Sequence, residues 1–191
     1  MRICSLLPSA TEIVFALGGG DSLVGVSHEC DYPPETAPIP KVTGSNIPLG
    51  LPSHQIDSAV SSSVQAAGSL YELNLPLLEK LQPDLVITQR VCDVCAVSFD
   101  LVQDAVTHLR SRPKILNLEP HSLDDILDSI QVVGNAIDRR CAAETAVASM
   151  QNTRGLYARR SVLFRIASIR SCMEATAVSA AHLRSIAFPT T

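Results

Sequence analysis

Asp84-Leu85-Val86-Ile87-Thr88 is the stretch on which the fold turns. Leu85, Val86 and Ile87 follow one another with no polar break. A strand with one wet face alternates apolar and polar side chains, whereas a strand covered on both faces does not. The stretch therefore reads as an inner strand of a parallel sheet. Before it, Leu75 to Leu81 reads as a short helix with Leu77, Leu78 and Leu81 on one face. After it, Ser98 caps a helix running to Arg110, and Lys114 to Leu118 is a further strand. Ser122-Leu123-Asp124-Asp125 opens the next helix with acids in its first turn, where the helix dipole favours them. Residues 142–157 continue helical.

Towards the amino terminus the same alternation holds. Ile3 to Leu7 reads as a strand that Pro8-Ser9 breaks. Ser9-Ala10-Thr11-Glu12 has the spacing of a capping box, opening an amphipathic helix to Leu17. Gly18-Gly19-Gly20 ends that helix, because glycine accepts the left-handed cap. Leu23 to Val26 is a second strand. Six prolines between positions 31 and 53 make that segment extended, with a brief strand at Val42-Thr43. Residues 53–66 read as a weak helix, since serine lowers helix propensity. Strands near 2–7, 23–27, 84–88 and 114–118, separated by helices, define an α/β fold with a parallel sheet flanked by helices.

Composition narrows the function. Of 191 residues 46% are apolar, enough for a sizeable core, and mean hydropathy is +0.21. No apolar run approaches the roughly 20 residues that span a bilayer. Net charge is −4 and the isoelectric point about 5.7, so nothing draws the chain generally to nucleic acid or anionic membrane. The charge is uneven. Residues 1–158 hold ten Lys and Arg against eighteen Asp and Glu, or −8, while residues 159–191 hold five Arg against Glu174, or +4. That switch marks a boundary near residue 160.

There are six cysteines, at positions 4, 30, 92, 95, 141 and 172. Met1-Arg2 is followed by no secretory h-region, so the chain as written reads as cytoplasmic, where close cysteine pairs bind metal or do redox chemistry. Cys4 and Cys141 sit in apolar periodic runs and read as small core residues. Ligands of parallel sheets bind beyond the carboxyl ends of the strands. Three loops reach that edge: Pro8-Ser9, residues 27–32 and residues 89–95. Cys92-Asp93-Val94-Cys95 lies after a strand and before a helix, where thiol pKa values fall. Its thiols either cycle between dithiol and disulfide, or join His28 and Cys30 in a four-ligand zinc-type site, or are incidental. The three glycines at 18–20 follow a helix instead of opening one, so they are no dinucleotide fingerprint. With no P-loop lysine, GxSxG elbow or paired carboxylates, the chain is not expected to be an enzyme.

Several longer texts carry a resemblance. They are Ser5-Leu6-Leu7-Pro8-Ser9-Ala10-Thr11-Glu12-Ile13, then Val24-Gly25-Val26-Ser27-His28-Glu29-Cys30-Asp31-Tyr32-Pro33-Pro34, then Lys80-Leu81-Gln82-Pro83 running into the Asp84 strand. Together they resemble the class III periplasmic-binding-protein family, the vitamin B12 and ferric-siderophore binding proteins of ABC importers. The text from Thr88-Gln89 through Cys92, Cys95 and Ala96-Val97-Ser98 is similar to a cobalamin-binding subgroup. The resemblance covers most of residues 2–140.

The resemblance implies two α/β lobes joined by a long helix, with ligand between them. It makes residues 1–138 the N-terminal lobe, 139–160 the linking helix, and 161–191 a truncated or divergent basic tail where a second lobe is missing. It implies capture of a corrinoid or metal chelate for an ABC permease, with no cofactor required. The readings left beside it are a Cys/His metal-binding or dithiol redox protein, and a non-functional fragment. By position, Pro8, Ser9, His28, Glu29, Tyr32, Gln89 and Arg90 would contact ligand. His28, Cys30, Cys92 and Cys95 would hold a metal ion, zinc or another, or coordinate cobalt in cobalamin. Asp100 is the nearest match to an acidic residue that docks the permease. In the family's B12 protein a tyrosine stands in place of Glu29 and an aromatic near Gln89.

Overall fold

In the computed structural model the described residues are 1–47, 52, 55, 60, 71–90 and 97–156. Four parallel strands form the main sheet: β1 (Ile3–Ser5), β2 (Leu23–Val26), β5 (Leu85–Thr88) and β6 (Lys114–Asn117), in the order β2-β1-β5-β6. Register is continuous across β1 and β5, where Ile3, Cys4 and Ser5 face Leu85, Val86 and Ile87. All four expected strands are present and parallel.

The unbroken apolar run of β5 has the anticipated cause. Leu85 and Ile87 point into one apolar cluster with Ile3 of β1, and Val86 points into another with Cys4. The first cluster takes Ala10, Val14 and Leu17 from the segment around α1 (Pro8–Ala16), and Leu127, Ile130 and Val133 from α4 (Leu123–Ala136). The second takes Leu78 from α2 (Leu75–Leu81) and Val102 from α3 (Phe99–His108). The sheet is thus the middle of three layers.

Helix ends depart from the sequence reading at α1 and at α3. α1 begins at Pro8, with Leu7 as an extended cap and no side-chain capping bond. Proline suits the first helical position because its missing N–H would have no partner there anyway. Ser9 therefore lies inside the helix and the expected capping box does not form. Thr11 Oγ1 instead reaches back, within hydrogen-bond distance of Leu7 O (3.2 Å) and Ser5 Oγ (2.8 Å), with one proton to give between them. The exit matches expectation, with Gly18 at φ +72° in the left-handed region. Ser122 caps α4 by accepting from the Asp125 N–H at 3.2 Å. Ser98 precedes α3 without a side-chain bond, and that helix stops at His108, two residues before Arg110.

The proline-rich segment crosses beside β2. Val26 N–H bonds to Pro40 O and Val42 N–H to Val26 O. Gly25 permits this approach, since a Cβ there would meet Val42 Cγ1 at 2.7 Å and Cys4 Sγ at 2.9 Å. The segment ends in β3 (Thr43–Ser45), paired antiparallel with β4 (Tyr71–Leu73), a strand too short to show periodicity in the sequence. Most of the weak helix expected at 53–66, and the cysteine loop 92–95, lie outside the described residues. By internal contacts the chain divides into Met1–Val147 and Ala148–Thr191. Residues 140–156 are helical, and the basic segment from 161 lies outside the described residues.

Candidate functional site

The sheet order places the topological switch between β1 and β5, because the chain leaves β1 towards β2 and returns on its other side. Open α/β sheets bind ligands at this carboxyl edge. A cavity of about 30 Å³ lies there, lined by Leu6, Leu7 and Pro8 after β1 and by Ser27, His28 and Glu29 after β2, with Thr43, Tyr71 and Val97. A larger hollow of about 640 Å³ lies at the opposite edge, around Asp84, Lys114 and Asp138. It is broad and sits at the amino ends of the strands, so the smaller cavity is the better candidate.

His28 is the most constrained residue of the cavity. Its Nδ1 lies 2.7 Å from Thr43 Oγ1, and its backbone N–H donates to the same oxygen at 3.0 Å. Thr43 in turn donates to Ser27 Oγ at 3.2 Å, and the Glu29 N–H donates to Ser27 at 3.3 Å. The Tyr71 ring lies against the imidazole, centroids 5.4 Å apart. Glu29 Oε1 stands 3.2 Å from His28 Nε2, yet Nε2 is buried without a hydrogen-bond partner. The carboxylate is close but off the line a hydrogen bond requires.

The sequence-based candidates separate in space. Pro8, His28 and Glu29 line the cavity; Ser9, Tyr32, Gln89 and Arg90 are not among its walls. Ser9 and Tyr32 are exposed. Arg90 lies 4.4 Å over the Phe99 ring and 3.4 Å from Asp100, so the two candidates on this edge pair with each other. Cys30 is 1% exposed and belongs to the core cluster of α1, where its Sγ meets Thr11 Oγ1 at 3.2 Å. Burial pushes its thiol up, with the Thr11 bond pulling back. Among the described residues no group of three or more His, Cys, Asp or Glu is arranged to hold a metal ion. Cys92 and Cys95 lie outside those residues.

Leu6, Leu7, Thr43, Tyr71 and Val97 escaped the sequence reading as site residues, and Ser27 entered it only as part of the 27–32 loop. Thr43 was legible as a brief strand, but its closeness to His28 comes from the crossing beside β2.

No protein-family model matches the chain. Among curated proteins, the chain is 28% identical over 153 residues to an uncharacterized ABC transporter substrate-binding lipoprotein, YvrC, of Bacillus subtilis, covering 79% of this chain and 38% of that protein. It is 30% identical over 134 residues to the vitamin B12-binding protein of Vibrio cholerae, covering 70% of this chain and 37% of that one. The solved structure of the periplasmic heme-binding protein RhuT from Roseiflexus sp. RS-1, in apo form, superposes with a TM-score of 0.55 at 25% identity, over 80% of this chain and 46% of the other. The chain thus spans less than two fifths of the length of these curated relatives.

A parallel sheet with helices on both faces, carrying a cavity of mixed polar and apolar lining at its switch point, matches one lobe of the class III solute-binding fold. Over the matched residues its homologues are ABC-importer substrate-binding proteins, vitamin B12-binding proteins among them. The relatives bear the names of binding proteins and not of enzymes. Their names say lipoprotein and periplasmic, which gives the cytoplasmic reading no support. Among the described residues no helix is long and apolar enough to cross a membrane.

Proposed function

We propose that the chain provides one ligand-contacting lobe of a solute-binding protein that captures a corrinoid or other metal chelate for an ABC-type permease. The observation that carries this is the cavity at the β1/β5 switch, where Pro8, His28 and Glu29 meet in a chain with these homologues. A vitamin B12-binding and a heme-binding relative support a flat metal macrocycle as the ligand class. In this reading Pro8 and Ser9 wall the cleft, and His28, Glu29 and Tyr32 meet the ligand from the second loop. Gln89 and Arg90 meet it from the third. The helix at 140–156 begins the link to a second lobe, and Asp100, with 84% of its side chain exposed, is the docking residue for the permease.

One lobe covers about half of such a ligand. At roughly 25 cal/mol per Å² of apolar area, forgoing about 100–200 Å² of contact costs about 2.5–5 kcal/mol. Each 1.4 kcal/mol is about tenfold in affinity. The 191-residue chain alone is therefore expected to bind weakly, at micromolar dissociation constants or poorer. Calorimetric titration with cyanocobalamin, aquocobalamin and hemin tests this. Binding of at least one, in a 1:1 ratio, supports the proposal; no heat and no retention of any of them in equilibrium dialysis overturns it.

A further inference from the structure

We infer that the ligand presents an uncharged or positively charged rim to this lobe, such as the peripheral amides of a corrinoid, and that chelates rimmed with carboxylates, haem among them, are selected against. The inference names the substrate class within the solute-binding reading above and rests on it.

The charges of the unit Met1–Val147 are sorted between the two edges of the sheet. The unit holds nine Lys and Arg. Seven lie at the amino edge: Arg2 before β1, Lys80 in the last turn of α2, the three of the Arg110 to Lys114 segment that leads into β6, and Arg139 and Arg140 after α4. The carboxyl edge, where ligands of such sheets bind, has two, Lys41 beside the end of β2 and Arg90 after β5. Both are already engaged. Lys41 Nζ donates to the Cys30 carbonyl, and Arg90 pairs with Asp100. Residues 48–70 and 91–96 contain no Lys or Arg, so the cysteine loop brings no further cation.

Carboxylates are sorted the other way. Glu29 and Asp31 follow β2, Asp100 lies in the first turn of α3, Glu119 follows β6, and Asp124 and Asp125 lie in the first turn of α4. Three helices start at this edge, α1, α3 and α4, and each N-terminus carries about half a positive unit charge. Six carboxylates outweigh those ends and the two cations together. A surface of one sign repels like charge across solvent, at distances that no hydrogen bond reaches. A ligand carboxylate docking here also loses water and meets no free cation in exchange. An amide loses less, and it both donates and accepts. His28 Nε2, a buried polar atom without a hydrogen-bond partner on the wall of the cavity, is therefore matched by an amide in either imidazole tautomer.

The test compares cyanocobalamin with the same molecule after hydrolysis of three peripheral amides to carboxylates, so that ring, metal and axial groups stay constant. Binding to the full chain is read by equilibrium dialysis at pH 8, in 10 mM and in 500 mM salt, with hemin alongside. The tricarboxylate is expected to bind at least about tenfold more weakly in 10 mM salt, where charges act over about 30 Å, and within about threefold in 500 mM, where they act over about 4 Å. Replacing three carboxylates together, Asp31→Asn, Glu119→Gln and Asp124→Asn, shrinks the low-salt ratio and leaves cyanocobalamin binding unchanged. Circular dichroism checks the fold of that variant, and the salt series on the parent chain decides the matter if it does not fold. A tricarboxylate that binds as well as cyanocobalamin in 10 mM salt, a ratio indifferent to salt or to the folded triple variant, or hemin held more tightly than cyanocobalamin overturns the inference and leaves the solute-binding proposal standing. Failure of both cobalamins and hemin to bind overturns that proposal, and this inference with it.

Discussion

Thr11 Oγ1 lies 2.8 Å from Ser5 Oγ, and both side chains are fully buried. This contact ties the first turn of α1 to the last residue of β1. The same hydroxyl lies 3.2 Å from Leu7 O and 3.2 Å from Cys30 Sγ, so one threonine joins the strand, the helix start and the loop that carries His28. Ser5 also donates to Leu7 O at 3.1 Å.

Replacing Thr11 with valine keeps the shape and removes the hydroxyl. A buried polar partner left short of a bond costs about 1–3 kcal/mol. Thr11→Val is expected to lower the stability of the lobe by about that amount in urea denaturation. Unchanged stability would show that the Ser5–Leu7 bond alone satisfies the site.

Gly134 sits in α4 where a Cβ would come within 2.4 Å of the Ala143 Cβ, at the crossing with the next helix. Alanine favours a helix over glycine by about 1 kcal/mol. Overpacking a close crossing costs about 1–3 kcal/mol. The clash outweighs the propensity, so Gly134→Ala is expected to destabilise, read as a lower thermal midpoint. A raised midpoint would mean that the two helices separate without penalty.

Cysteine reactivity follows burial. The Cys4 thiol is pushed up to about 12 by burial, which the Arg2 charge only partly offsets, and the Cys30 thiol is raised for the same first reason. Cys141 is exposed. Because the thiolate is the nucleophile, brief iodoacetamide treatment of the native chain at pH 8 is expected to label Cys141 well before Cys4 or Cys30. Peptide mass spectrometry checks this, and equal labelling of the three would contradict the packing described.

Asp125 is held below the usual carboxylate range first by the His121 backbone N–H, at 2.9 Å from its Oδ2, and then by Ser122. A folded-state pKa below the unfolded one contributes stability above the unfolded value, about 3.9 for Asp. That contribution is lost as pH falls through the folded value. Asp125→Ala is therefore expected to destabilise at neutral pH and to converge with the parent chain as pH drops below about 4. A carboxyl NMR titration placing Asp125 at or above the ordinary Asp value would rule this out.

Much of the lobe was legible along the chain. The apolar run of β5, the Ser122 cap and the glycine after α1 are local signals, since each depends on residues within a few positions of one another. The capping box at Ser9 failed because Pro8 competes for the first helical position, and a local pattern does not show which of two starts wins. The site was less legible. His28 and Glu29 stood out as residue types, whereas Thr43 and Tyr71, which hold the imidazole, are ordinary residues fifteen and forty-three positions away.

The alternation of strands with helices, and so a parallel sheet buried on both faces, follows from sequence periodicity, because the backbone repeats of strand and helix dictate which side chains share a face. Which side chains converge at the carboxyl edge does not. That depended on the proline-rich segment crossing beside Gly25, the one place in β2 without a Cβ to block it, which carried Thr43 to His28. It also depended on Cys30 falling into the α1 core while its neighbour two residues back faced the cavity. Side-chain chemistry is written in the sequence, but the direction of each donor and acceptor is set by contacts between distant segments, and only the folded chain makes them.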